Sequence, residues 1–359
     1  MAHDMARALR VLLIEDEQKN IELWEDAVAA HNAEATEHGF SIETTVAMSV
    51  DKAISCLKGG RFDAAVVDLR LKNSEGPIGP NDDGNQLVKR ILTEQPMGVV
   101  VYTGQKAEVA DFGCPQVVVI DRGDGLSPVM SWLKDQSQLL FHLRSVMEAF
   151  DAEAAKVFFK SIWPRWRQWT KDIGDASVLS KLVARHVIAH AHDSMLYEGG
   201  EQVHPEETYF APPMKPRLDT GDLLETDGEV WIVVTPRCDM AHDGKVQSIL
   251  LARCSDISKK WNELEQSESK GAKSEISKIA QHEGKPKQHF LPRLSDHVGS
   301  KRGPWLAQFH DIKVVDAKQA QLELPARRFA SLAPQFIPSL TGRFGSYFSR
   351  IGTPDFSSD

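Results

Sequence analysis

The residues best suited to chemistry in this chain are acidic, and they stand at the ends of apolar runs. Asp68 closes Ala64-Ala65-Val66-Val67, and Glu15, Asp16 and Glu17 close Val11-Leu12-Leu13-Ile14. Thr103 and Gly104 close Val99-Val100-Val101-Tyr102. Carboxylates gathered in one place hold a hard divalent cation through oxygen ligands, and one of them can act as a nucleophile toward phosphorus. A neighbouring hydroxyl can donate a hydrogen bond to a phosphoryl oxygen. Singly, such residues also serve as turn formers and helix N-caps, as Asp16 would before a helix starting near Gln18. Three strand-end signals in one order point instead to a shared site.

The elements that must position them follow from the same runs. Short apolar stretches bounded by turn residues and separated by amphipathic segments are the parallel strands of a doubly wound sheet. Functional groups in such sheets collect beyond the carboxyl ends of the strands. On these residues, positions 8–125 resemble the receiver domain of two-component response regulators. The resemblance implies an α/β fold with a doubly wound five-stranded parallel sheet. It further implies that Glu15 and Asp16 hold Mg2+, that Asp68 is both metal ligand and phospho-acceptor, and that the backbone carbonyl of Arg70 is another ligand. Thr103 matches the hydroxyl that turns toward the phosphoryl group. A cognate histidine kinase or phosphotransfer protein is the implied partner, with a homodimer as a further option.

Two features depart from that pattern. Receivers carry a lysine after the fifth strand; here Val117-Val118-Val119-Ile120 is followed by Asp121 and Arg122. An anion at that position repels a phosphoryl group; Arg122 could supply the charge from the next position, but strand alternation points it the other way if the strand continues. The segment from Leu71 to Gly84, rich in Gly, Pro, Asn and Asp, reads as a long loop beside Asp68. The stretch from Gln105 to Gly113 is short, so the fourth receiver helix is expected to be small or irregular.

Composition excludes several classes. The 359 residues suffice for two or three domains, with 42% hydrophobic and 26% charged residues as in an ordinary globular chain. No run of about 18 apolar residues exists, so no membrane span is expected. The first residues lack a signal-peptide core, which argues for the cytoplasm. The 4 cysteines are scattered, as reduced thiols would be. A net charge of −9 makes bulk nucleic-acid binding unlikely on composition, leaving room only for a local patch.

Beyond residue 126 the pattern turns helical. Leu139, Leu143, Val146, Phe150 and Val157 form an apolar stripe expected to pack on its own chain. Trp163, Trp166 and Trp169 alternate with Pro164, Arg165 and Arg167. Pro164 suits the first turn of a helix, and core packing of the tryptophans is the expectation, with base stacking the alternative. His186, His190 and Asp193 share one helical face and offer metal-ligand chemistry. His192-Asp193 is similar to the pair of HD phosphohydrolases, but the longer Gly-Tyr-Pro signature is absent. Asp227-Gly228 between apolar runs signals a hairpin. Cys238, with Asp239 and His242, offers a nucleophile and base, and Cys238, His242 and Cys254 offer three zinc ligands, one short of a closed site. Residues 258–283 read as an exposed helix or mobile segment, and Leu340 to Phe348 as a closing amphipathic helix.

The expected organisation is a receiver-like domain over 8–125, a helical connector over 126–200, and an α+β output domain over 201–359 with a small antiparallel sheet or barrel. The C-terminal half loosely resembles uncharacterised bacterial domains found beside signalling or defence modules. The expected function is phosphoryl acceptance on Asp68 with Mg2+, controlling a protein–protein interaction through the C-terminal half, rather than an independent enzyme. The alternatives are a degenerate receiver used for docking or dimerisation, and a phage-defence-associated regulator with a nucleic-acid-binding or enzymatic C-terminal domain.

Overall fold

A computed structural model of the protein describes residues 7–71, 82–198, 203–242, 244–267, 269–282, 286–295 and 299–349. The chain divides into two compact units, Met1–Glu198 and Gly199–Asp359. In the first, strands β1 (Arg7–Ile14), β2 (Phe40–Ala47), β3 (Ala64–Val67), β4 (Gly98–Thr103) and β5 (Val118–Asp121) form a five-stranded sheet of order β2-β1-β3-β4-β5. Every pairing is parallel, as the sequence implied.

Both faces of this sheet are covered, which explains why its strands read as unbroken apolar runs. Alternate residues of β1 serve alternate layers. Leu9, Val11 and Leu13 pack with Ile21 and Trp24 of α1 (Gln18–Ala33), beyond which lies a short helical turn, α2 (Ala35–His38). Leu12 and Ile14 pack with Ala53 and Leu57 of α3 (Val50–Gly59) and with Leu87 and Ile91 of α4 (Asp82–Glu94). Each such side chain contributes about 1.5–3 kcal/mol by leaving water.

The loop expected from Leu71 to Gly84 is shorter at its far end. Its part from Lys72 to Asn81 lies outside the described residues, while Asp82, Asp83 and Gly84 already belong to α4. Gly84 is there for close approach: a Cβ at that position would lie 2.5 Å from the Cα of Leu69. Between β4 and β5 the only described helix is a 3-10 turn, Lys106–Glu108, which bears out the small fourth helix. Asn85 holds that segment, donating to the carbonyl of Glu108 and accepting from the amide of Ala110, each at 3.0 Å.

Helix α5 (Ser127–Val157) runs through a π turn (Phe158–Ile162) and a 3-10 turn opened by Trp163-Pro164 into α6 (Trp166–Ile173) and α7 (Ala176–Glu198). The stripe expected to be buried on α5 is offset. Of that stripe Val157 is buried and Leu143 half-buried, whereas Leu139, Val146 and Phe150 are 62%, 59% and 36% exposed; Val129, Leu133 and Leu140 are buried instead. Gly98 makes the difference, because its bare Cα leaves room for Trp132 and Leu140 against β4, selecting Leu140 over its neighbour. The tryptophan expectation also fails: Trp163 is 62% and Trp166 37% exposed, and only Trp169 is half-buried.

The second unit is built on antiparallel strands β6 (Tyr209–Phe210), β7 (Asp222–Thr226), β8 (Glu229–Val233), β9 (Ser248–Asp256), β10 (Gln288–Leu291), β13 (Trp305–Asp316) and β14 (Arg328–Leu332). Their order is β10-β13-β9-β8-β7-β14-β6, and β11 (Leu294–Ser295) pairs separately with β12 (Lys301–Arg302). The Asp227-Gly228 hairpin is present, with φ of 55° and 75°, the left-handed values a two-residue turn requires. Helices α8 (Arg237–Met240), α9 (Ser258–Gln266), α10 (Lys270–Ala280) and α11 (Ala317–Glu323) lie between strands. Ordered helices α9 and α10 thus occupy most of the segment read as exposed or mobile. The closing helix is α12 (Ile337–Phe348), with Leu340 fully buried in the sheet's core.

Candidate functional site: an acidic edge shared by one arginine

Parallel pairing brings the strand ends together. Ile14 lies opposite Val67 and Val67 opposite Val101, so the residues that follow emerge side by side. The ladder extends one step further, with the amide of Glu15 donating to Ala47 and that of Asp68 to Ile14, at 3.2 and 2.9 Å. Glu15, Asp16 and Asp68 each place a carboxylate oxygen within 4.8 Å of the others, the only such group of potential ligands found among the described residues. Glu15 and Asp68 are buried, and Asp16 is half-buried.

Arg122 completes the site from the end of β5, the edge strand of the sheet. Its Nη2 donates to Oε2 of Glu15 at 2.6 Å and lies 3.0 Å from Oδ2 of Asp68. The alternation argument that turned Arg122 away does not hold, because β5 stops at Asp121 and Arg122 opens a 3-10 turn. Asp121 lies opposite Thr103 in the β4–β5 register. Its Oδ1 accepts from the amide of Gly123 at 2.8 Å, capping that same turn. Tyr102 braces the guanidinium, whose Cζ stands 5.7 Å from the ring centroid.

Burial dominates the electrostatics. It pushes the carboxyl of Asp68 above its usual range, outweighing Arg122 and the amides of Arg70 and Leu69 that favour the ionised form. Glu15 is raised for the same reason, against a hydrogen bond from the amide of Glu17 and the charge of Arg122, with Asp68 adding to the rise. Two buried carboxylates therefore share one cation. The Nε of Arg122 is itself buried with no hydrogen-bond partner among the described residues, an orphan donor at the edge of the cluster. The donor set is all hard oxygen, which fits Mg2+. Thr103, 1% exposed, ends the neighbouring strand and its hydroxyl accepts from the amide of Gln105 at 3.3 Å. Arg70 is exposed, with its backbone beside Asp68.

The other candidates do not converge. Cys254 is buried on β9, where desolvation pushes its thiol far up, while Cys238 and His242 are exposed around α8. His186 faces Ser161 and Arg165, each 2.8 Å from its Nε2, and its ring meets that of His190, while Asp193 is exposed. The sequence offered Arg122 as a source of positive charge, subject to where β5 ends, which the Asp-Arg-Gly turn pattern marks. Asn85 gave no signal at all.

No protein-family model matches the chain, and no curated protein does. Solved structures do. The receiver domain of a response regulator from Methylobacillus flagellatus matches at 20% identity, covering 35% of this chain and 98% of that one, with a TM-score of 0.24. Response regulator protein TrrA from Thermotoga maritima, in complex with Mg2+-BeF, matches at 18% over 35% of this chain and 97% of its own, TM-score 0.26. The Francisella response regulator 1452 receiver domain matches at 17% over 36% and 98%, TM-score 0.27. The N-terminal third of the chain is similar in fold to the receiver domains of response regulators.

Proposed function

We propose that the first unit is a response-regulator-like module that accepts a phosphoryl group on Asp68. An Oδ of Asp68 attacks phosphorus, the acyl-phosphate bond forms, and the donor leaves with the electron pair of the broken bond. Glu15, Asp16, Asp68 and the Arg70 carbonyl are the residues that would hold Mg2+. When bound, it supplies positive charge to the phosphoryl oxygens. Arg122 supplies the cation that receivers take from a lysine, through Nη2 and the orphaned Nε. Thr103 donates to a phosphoryl oxygen once its hydroxyl turns. The cognate donor would be a histidine kinase or phosphotransfer protein, and the C-terminal half would carry the response through a protein–protein contact.

The observation that carries this reading is the sharing at the edge: among the described residues two buried carboxylates, Glu15 and Asp68, meet the same guanidinium, that of Arg122. Intact-mass analysis after incubation with acetyl phosphate and Mg2+ tests it. One added phosphoryl group is expected in the wild type and none in Asp68→Ala. No mass gain in the wild type, under conditions that label an ordinary receiver, would leave a docking module instead.

A further inference from the structure

The segment around the π turn of the first unit stands out from the rest of an acidic chain. Residues 154–171 contain five cations, Lys156, Lys160, Arg165, Arg167 and Lys171, and no Asp or Glu, although the chain carries a net charge of −9. The same stretch contains Phe159, Trp163 and Trp166, which are 67%, 62% and 37% exposed. Large aromatic rings left in water cost hydrophobic free energy, so an exposed cluster of them marks a contact surface.

The chemistry of that surface narrows what it contacts. Its outward side offers rings and cations, while the aliphatic residues Val157 and Ile162 are buried. A helix lying on a lipid surface presents aliphatic side chains alongside its rings. The rings are also braced. Phe158 packs edge-on against Phe159 at 5.2 Å and against Trp163 at 5.5 Å between centroids. Arg165 is already engaged, stacked 4.7 Å from the centroid of Trp169 and bonded to Ser161, and Lys156 pairs with Glu153. Lys160, Arg167 and Lys171 are exposed beside the rings. Phe159, Trp163 and Trp166 recur four and then three residues apart through the π turn, the 3-10 turn and the start of α6. Rigid rings at such intervals, flanked by cations, are what successive unstacked bases and their phosphates require. A duplex keeps its bases stacked and offers such rings nothing to stack on.

The geometry points to a short single-stranded nucleic-acid site on the π turn and α6, with bases stacking on Phe159, Trp163 and Trp166 and phosphates meeting Lys160, Arg167 and Lys171. It is independent of the acidic edge. Five cations in a chain of net charge −9 favour a short, local contact over extended wrapping of nucleic acid.

Fluorescence anisotropy with a labelled oligothymidylate and the full chain tests it. Saturable binding at low salt is expected. Trp163→Ala, at an exposed ring, should weaken binding about five- to a hundredfold, and Phe159→Ala should do likewise. Arg167→Ala should flatten the logarithmic salt dependence by about 0.7. Met214→Ala, 84% exposed in the second unit, should leave binding unchanged. Absence of saturable binding, binding indifferent to both ring substitutions, a duplex held as tightly as the single strand, or capture by phosphatidylglycerol vesicles but not by the oligonucleotide would each overturn the proposal.

Discussion

Strand β3 carries a buried aspartate at each end, and the two are treated in opposite ways. At the amino end, Asp63 has one guanidinium to itself. Nε of Arg144 donates to Oδ1 at 2.7 Å and Nη2 donates to Oδ2, which also accepts from the amide of Arg10 at 2.6 Å. Arg144 is left holding its proton more firmly, through that hydrogen bond, and also donates to the carbonyl of Ala8 at 2.8 Å. At the carboxyl end, Asp68 shares Arg122 with Glu15, and Arg122 Nε has no partner among the described residues. The residue types are the same, and the charge count differs. A matched buried pair ties the sheet to α5. An unmatched one costs stability and leaves room for ligands to supply what is missing.

The largest expected effect is at the matched end. Arg144→Ala leaves Asp63 buried and unpaired, and denaturant unfolding of the first unit should show a loss of about 3–5 kcal/mol. Replacing both partners by apolar residues of similar size should recover most of it. At the unmatched end, Arg122→Ala should slow phosphoryl acceptance about ten- to a hundredfold, the equivalent of a charged hydrogen bond of ~1.5–3 kcal/mol. Arg122→Lys should retain most of the rate in single-turnover mass measurements. Gly84→Ala, which drives a Cβ into the backbone of Leu69 next to Asp68, should cost about 1–3 kcal/mol by the same unfolding assay.

The smallest effect tests the sign of the charge imbalance. Because burial raises the carboxyl pKa of Asp68 and Glu15, the folded state binds protons more readily than the unfolded chain. Ionisation therefore penalises folding at neutral pH, and the penalty disappears as pH falls below the ordinary carboxylate range. Without added metal, Asp68→Asn should raise Tm at pH 7, with a gain that shrinks toward acid pH. A fall in Tm at pH 7 would mean that the Arg122 pair stabilises the fold on balance.

The strands and the acidic edge were readable from the sequence because parallel strands buried on both faces leave unbroken apolar runs, and strand ends in such sheets share an edge. What escaped depended on where elements stop. Alternation assigns a direction to Arg122 only while β5 lasts, and β5 ends when Asp121 caps the following turn. Gly84 reads as loop punctuation but sits in a helix, where only the backbone of Leu69 shows why a glycine is needed. Leu139 and Leu140 are adjacent and equally apolar, so periodicity alone could not choose between them; Gly98, distant in sequence, did. Asn85 works through two main-chain groups on a segment it meets only in the folded unit.

The central claim is that Asp68 is the acceptor, and hydride reduction of the phosphorylated protein tests it most directly. Borohydride converts an aspartyl acyl phosphate to the corresponding alcohol, which peptide mass mapping then locates. After treatment with acetyl phosphate and Mg2+, the reduced residue should be Asp68 and no other, and the signal should vanish when Mg2+ is chelated. Reduction at Asp16 or Glu15, or at no residue of the first unit, would contradict the account.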